Sequence, residues 1–317
     1  MASLINSLAS LAWSSVNRVA REASRLGYPP KTILEPRVIS VGNLQAGGTG
    51  KTPLTSLICK EAHEQGLRVC ILIRGYRGRW ENSGGVIAPG QGKVSADECG
   101  DEAALLHSRN PEAWIGVGAD RAASYVRVQE ASERAKFDLI VLDDGFQNFS
   151  IHKDLDIVAL TSSTSAEAVF RDSHSQLQHA GLVVWTKGHE QPDFLGRPAC
   201  RVIYEIPAAA ADRPESDKNV WLVTGVADAD QVKATTERAG YRVLRHIAFA
   251  DHQVYRGKET HALMDGARMG GARLALTGKD WVKWEPFGIE RSSVIVLEPE
   301  LRFVSGRDVW EKVVWGR

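Results

Sequence analysis

Six consecutive residues, Gly47-Gly48-Thr49-Gly50-Lys51-Thr52, carry the most legible chemistry in this sequence. Glycines let backbone N–H groups turn inward around phosphate oxygens. A helix starting at Lys51 would aim the positive end of its dipole at the same anion. Lys51 can then reach the β- and γ-phosphates, and the Thr52 hydroxyl can hold Mg²⁺. This is a P-loop with one departure: Gln45 stands where the first glycine is usual. The bland alternative is a glycine-rich turn before a helix. The apolar run before the loop and the helical pattern after it favour the phosphate site, with ATP as substrate and Mg²⁺ as its counter-ion.

A second acidic feature fits the first. Asp143 and Asp144 close the apolar run Phe137–Leu142 and precede Gly145. Carboxylates at the carboxyl end of a parallel strand face the ligand crevice, and a P-loop site needs one there for Mg²⁺. The alternative, a solvated strand-to-loop corner, is weakened by the P-loop upstream. Guanine recognition is weakly supported: the nearest base-reading pattern, Thr186-Lys187-Gly188-His189, lacks the aspartate.

The elements that must position these residues read as repeated βα units. Strands are expected at 37–42, 68–74, 113–117, 137–142, 155–160 and 182–186, with helices at 51–65 and 120–133. A linker rich in Ala, Pro and charge spans 207–217. A second α/β unit follows, with strands at 220–224, 241–247, 273–277 and 293–297 and helices at 228–239 and 260–267. The expected fold is thus α/β: a mainly parallel P-loop sheet flanked by helices (31–206), a smaller α/β unit (207–317), and an N-terminal amphipathic helix (1–30).

That N-terminal segment has no charged side chain from Met1 to Trp13, and Leu4, Leu8 and Leu11 share one helical face. Arg18, Arg21, Arg25 and Lys31 follow, the reverse of a secretory signal. A helix lying on an anionic membrane surface has this pattern; so does a helix packed on the protein's own body. No apolar run approaches the ~20 residues needed to span a bilayer. The 39 basic and 39 acidic residues cancel, which gives no reason to expect nucleic acid as a partner. The four cysteines form no CxxC pair and read as free thiols.

The run from Val41 to Pro53 resembles the opening of the tetraacyldisaccharide 4′-kinases, the lipid A 4′-kinases of Gram-negative bacteria, whose P-loop also lacks the first glycine. Further segments agree in order: Arg74-Gly75-Tyr76, Gly100-Asp101-Glu102, Asp143-Asp144-Gly145-Phe146-Gln147, Phe249-Ala250-Asp251-His252, and Thr277-Gly278-Lys279-Asp280 with Val282-Lys283. The sequence departs from the family at Asn148, where His is usual, at Asp172, where Glu is usual, and at Gly278, where Glu is common.

The resemblance implies transfer of the γ-phosphate of ATP to the 4′-hydroxyl of a tetraacyldisaccharide 1-phosphate, giving lipid IVA. It implies Asp101 as catalytic base with His252 as its partner, and Glu102 as an aid to Mg²⁺ beside Thr52, Asp143 and Asp144. It places Arg74, Tyr76, Gln147, Asn148 and Arg171 at the substrate. It also implies peripheral or monotopic attachment to the cytoplasmic face of the inner membrane, with a lipid acceptor and no obligatory protein partner. Without it, Asp101 and Glu102 read as an acidic loop and His252 as an ordinary histidine. The rival readings are a nucleotide-switched binding protein and a soluble small-molecule kinase.

Overall fold

The computed structural model describes residues 2–45, 49–162, 170–187, 193–206, 214–251 and 253–317. The chain opens with helix α1 (Ala2–Arg25), then runs through β1 (Arg37–Asn43), α2 (Lys51–Glu64) and β2 (Val69–Ile73). Short pieces follow: α3 (Trp80–Ser83), β3 (Gly85–Ile87) and α4 (Ala96–Cys99). Next come α5 (Asp101–Arg109), β4 (Trp114–Val117), α6 (Arg121–Ala131), β5 (Leu139–Asp143), β6 (Leu155–Thr161), β7 (Leu182–Lys187) and β8 (Ala199–Glu205). The rest comprises β9 (Asn219–Thr224), α7 (Ala229–Arg238), β10 (Arg242–Ala248), α8 (Gly257–Met269), β11 (Arg273–Thr277), α9 (Gly278–Trp284), β12 (Val294–Leu297), β13 (Glu300–Ser305) and α10 (Arg307–Trp310).

The strands form a nine-stranded sheet, β13-β8-β7-β6-β1-β5-β2-β4-β3, and a four-stranded sheet, β10-β9-β11-β12. The larger is parallel except for its two edges: β3 is antiparallel to β4, and β13 to β8. β1, β2 and β5 are buried almost throughout, because helices cover both faces. The strand order reverses between β1 and its neighbours β5 and β6, so the β1–α2 loop and the end of β5 open into one crevice. The smaller sheet is wholly parallel. The four cysteines are buried and free.

The expected division at 207–317 is altered at its end. β13 leaves the smaller unit and pairs with β8 in the larger sheet. Trp310 and Val314 then bury themselves in the core beneath α2. This return was not anticipated from the sequence: Glu300–Phe303 alternates polar and apolar residues, but alternation over four residues does not say which sheet a strand joins. α5, β8 and α9 were also not anticipated. Part of the expected linker, 207–213, lies outside the described residues.

The return is secured by one acceptor. Glu61, on α2, takes the indole N–H groups of Trp310 (2.8 Å) and Trp315 (2.7 Å) and the Arg307 guanidinium (2.6 Å). Both sides of the fold are thereby tied to the helix that carries the P-loop.

α1 is held to the body by a polar stripe rather than an apolar one. Asn17, Arg21 and Ser24, one face of the helix, are buried. Asn17 donates to the Arg171 carbonyl (2.7 Å), Arg21 pairs with Asp172 (3.0 Å) and lies 4.6 Å from the Phe146 ring centroid, and Ser24 donates to the Phe149 carbonyl (3.3 Å). Leu11, Val16 and Val19 on other faces are each about two-thirds exposed. No helix among the described residues is long and apolar enough to cross a membrane.

Glu61→Ala leaves the buried Trp310 indole N–H and the half-buried Trp315 one without an acceptor, costing about 1–3 kcal/mol for the first and less for the second. We expect this variant to lose about 2–4 kcal/mol of stability in urea denaturation, and Glu61→Gln to lose less because it keeps one acceptor.

Candidate active site

Gly50, in the left-handed region at φ 89°, turns the chain into α2. The Tyr204 hydroxyl occupies the space a Cβ on Gly50 would need, so only glycine fits. Thr49 is gripped from two sides. Its hydroxyl accepts from Asn43 Nδ2 (2.8 Å), and its carbonyl accepts from Thr186 Oγ1 (2.8 Å). Gly47 and Gly48 lie outside the described residues.

Asp143 and Asp144 sit beside this loop because β5 pairs with β1 in register, Val41 opposite Asp143. Their environments differ. Asp143 is fully buried and accepts from Thr55 Oγ1 (2.7 Å) on α2. Burial, reinforced by the nearby Glu102 charge, raises its pKa to about 7. Asp144 takes a left-handed conformation, φ 54°. Burial acts to raise its pKa too, but Lys51 and Arg171 outweigh it and hold the group below the ordinary carboxylate range. Lys51 Nζ lies 3.6 Å from Asp144 Oδ1, and Arg171 Nη1 lies 2.7 Å from Oδ2. Asp143 Oδ2 and Asp144 Oδ1 are buried and accept no hydrogen bond. Two such oxygens on residues that line one cavity with Thr52 suit a hard cation, and Mg²⁺ is commonly held by one or two carboxylates plus phosphate oxygens. No cluster of three or more His, Cys, Asp or Glu residues able to hold a metal occurs among the described residues.

Asp101 opens α5. Gly75, Gly78 and Gly100 pack backbone against backbone, so the Arg74–Tyr76 loop lies directly against the Gly100–Glu102 turn. Asp101 is buried, with Oδ2 3.2 Å from Lys283 Nζ and 3.7 Å from Lys279 Nζ, both on α9. Lys279 also pairs with Asp251 at 3.1 Å. Asp101 and the Asp251 segment therefore meet through α9. His252 itself lies outside the described residues. α9 is seated by buried Asp280, which accepts from Tyr255 Oη (2.8 Å), Thr277 Oγ1 (2.7 Å) and the Gly225 amide (3.0 Å).

The P-loop, the aspartate pair and Lys279 line a cavity of about 520 Å³ between the two sheets; Asp101 is not on its wall and meets it through Lys279. Thr49–Pro53, Glu102, Asp143, Asp144 and Arg171 form one side, and Asp228, Gln231, Asp251 and Lys279 face them. Arg74 and Tyr76 reach the rim, where Arg74 pairs with Glu81 at 2.7 Å. Gln147 and Asn148 are not part of the wall. Gln147 donates to the Asn43 carbonyl (2.9 Å), and Asn148 Oδ1 caps its own turn by accepting from the Ser150 and Ile151 amides (3.2 Å each).

Sequence reading missed Arg121, Thr55, Asn43 and Trp13. Arg121 is buried at the start of α6, donates to the Gly118 and Ala119 carbonyls, and lies in the field of both aspartates. Its place at the head of the helix after β4, on the crevice side, was the available signal. Trp13, on α1, lines the cavity, with the Arg171 guanidinium 5.8 Å from its ring centroid.

The chain matches the family described as tetraacyldisaccharide-1-P 4′-kinase over residues 2–315. It belongs to that family. Among relatives named tetraacyldisaccharide 4′-kinase, that of Geobacter metallireducens is 34% identical over 270 residues, covering 78% of this chain and 79% of the relative. That of Desulfotalea psychrophila is 30% identical over 280 residues, covering 80% of each. The fold is similar to the crystal structure of LpxK from Aquifex aeolicus in complex with ATP, with a TM-score of 0.74 and 25% identity over 97% of this chain and 96% of that one. The P-loop fold expected from the sequence agrees with this match.

The Asp143 shift has a stability consequence. Its folded pKa, about 7, exceeds the ordinary value of 3.8, so the folded state holds a proton that the unfolded chain releases between those limits. Its contribution therefore becomes less favourable as pH rises from about 4 to about 7 and levels off above. Asp143→Asn removes this term. In thermal melts without Mg²⁺, the variant should gain on the wild type as pH rises through that window, and a pH-independent difference would contradict the shift.

Proposed function

We propose that this enzyme, an ATP-dependent kinase of the tetraacyldisaccharide 4′-kinase family, phosphorylates the 4′-hydroxyl of a tetraacylated disaccharide 1-phosphate by in-line transfer in the cavity between its sheets. The carrying observation is the convergence of the P-loop, the carboxylate pair and Lys279 on that one cavity, with Asp101 paired to Lys279 just beyond its wall. The match to the ATP-bound Aquifex aeolicus structure supports ATP as the donor.

The residues fit a division of labour. Gly50, Lys51 and Thr52, with Gly47, Gly48 and Thr49 upstream, cradle the phosphates through backbone N–H groups and the Lys51 ammonium. Thr52, Asp143 and Asp144 would hold Mg²⁺, which offsets charge on the bridging phosphate oxygens when bound, and Glu102 lies close enough to add its field. Asp101 removes the proton from the attacking hydroxyl as the new O–P bond forms and the bond to ADP breaks. A weak base suffices, because in a loose transition state the proton leaves late. Lys279 and Lys283 balance the Asp101 charge and orient it, and His252, adjacent to Asp251, is assigned as its partner. Arg74, Tyr76 and Arg171 line the acceptor approach, and Gln147 and Asn148 support the loop behind it.

α1 supplies the route to a lipid acceptor. With its polar stripe turned inward, it offers Leu11, Val16 and Val19 outward, with Arg18 and Arg25 nearby and Trp13 at the cavity. This arrangement suits a helix lying on an anionic lipid surface. We assign the enzyme to the inner membrane's cytoplasmic face on that basis.

Transfer of labelled γ-phosphate to purified lipid acceptor tests the reading. Lys51→Ala should remove nearly all transfer, and Asp101→Ala should lower kcat by about 100-fold or more with a smaller rise in the KM for ATP. Retention of near-normal transfer by either folded variant would refute its assignment. Replacing Leu11, Val16 and Val19 together by Glu should release the protein from anionic vesicles while its activity on detergent-dispersed acceptor stays within about threefold. Unchanged vesicle binding would refute the membrane face.

A further inference from the structure

One cation on the cavity wall has no assigned task. Arg109, in the last turn of α5, points into the cavity together with Leu105 one turn earlier. Its guanidinium makes no hydrogen bond or ion pair among the described residues. Its Nη2 lies 3.9 Å from where a Cβ on Gly278 would be, so the side chain spans the gap between α5 and α9. Of the carboxylates whose field it feels, Glu298 acts most strongly and is already paired with Arg291 at 2.6 Å, and Glu300 acts more weakly. On its other side it feels the Tyr204 hydroxyl, which rests against Gly50 of the P-loop. Burial pulls the Arg109 pKa down more than the fields of Glu298, Tyr204 and Glu300 raise it, although a guanidinium stays protonated. Arg109 is half-buried, so its guanidinium is only partly hydrated from the cavity, and an anion entering there would complete its hydrogen bonding.

The P-loop has a matching deficit. In the first turn of α2 the residue after Thr52 is Pro53, which has no N–H. The turn therefore has one donor fewer at its cavity-facing end, since Pro53 itself lines the cavity. Lys51 and the carboxylate pair serve the β- and γ-phosphates, which leaves the α-phosphate as the anionic group of ATP with the weakest provision. α5 is braced beside this turn: Asn110, next to Arg109, donates to Ser56 Oγ on α2 (3.3 Å).

We propose that Arg109 is a nucleotide-binding residue that contacts the α-phosphate of ATP, supplying the donor that Pro53 cannot. This rests on the P-loop nucleotide site described above. The guanidinium could donate two parallel hydrogen bonds to phosphate oxygens. It would also bind the diphosphate product in the same way, so its contribution is to holding the nucleotide rather than to the transition state.

Calorimetric titration of adenosine, AMP, ADP and a non-hydrolysable ATP analogue into wild type, Arg109→Gln and Arg109→Lys tests this, with melting temperatures recorded for each protein. Arg109→Gln should weaken AMP, ADP and the analogue by a common factor of about tenfold and leave adenosine within about twofold. Arg109→Lys should recover part of the loss, and the KM for ATP should rise in parallel. An equal loss for adenosine would show a role at the base or in the fold and overturn the proposal. A loss confined to the triphosphate would move the contact outward along the chain and overturn it as well, as would no loss at all. If wild type binds none of the phosphorylated nucleotides, the nucleotide site itself fails; if wild type binds and the variants are unaltered, only the Arg109 assignment fails.

Discussion

The paired carboxylates at the end of β5 set the terms for everything around them. Two acids side by side in a buried crevice cannot both stay charged without compensation. The structure resolves this asymmetrically. Asp144 is held ionised by Lys51 and Arg171, whereas Asp143, buried and hydrogen-bonded by Thr55, is pushed toward neutrality. Lys51 is available for phosphate because its contact with Asp144 is a loose 3.6 Å rather than a tight hydrogen bond. A cation and a polyphosphate arriving together would complete a charge balance that the protein alone leaves open.

Arg171 connects that balance to the outside of the molecule. Its guanidinium grips Asp144, its amide donates to Leu44 just ahead of the P-loop (2.7 Å), and its carbonyl is held by Asn17 of α1. The helix we assign to the lipid surface is thus one residue removed from the carboxylate pair. Its inward stripe is polar because it must satisfy backbone groups of the segment it braces, which frees its apolar residues to face outward.

The smaller sheet plays a comparable part from the other side. Asp280 ties Thr277, Tyr255 and Gly225 into one buried knot, and this fixes α9 so that Lys279 and Lys283 project onto Asp101. The chain then crosses back through β13, and Glu61 ties its end to α2. The cleft is therefore bridged by continuous, hydrogen-bonded structure on both of its walls.

Much of this was legible in one dimension. The P-loop, its lysine and threonine, the acidic pair and the order of the central strands follow from local patterns: buried parallel strands read as apolar runs, and phosphate loops need glycine, lysine and a hydroxyl at set spacing. Asp101 was legible only through family resemblance, since an acidic pair at a helix start has no periodicity of its own. Arg109 and Trp13 were not legible at all, because each matters through neighbours far away in sequence, and Arg121 offered only its place at the head of a helix on the crevice side. The inside-out orientation of α1 was equally hidden: its apolar positions could serve a core or a membrane, and only the seats of Asn17, Arg21 and Ser24 on the body distinguish these. The sequence by itself determined the phosphate chemistry, because that chemistry is local. The tertiary structure decided which charges face one another across the cleft and which face of α1 meets solvent, because those depend on packing between segments that the chain alone does not bring together.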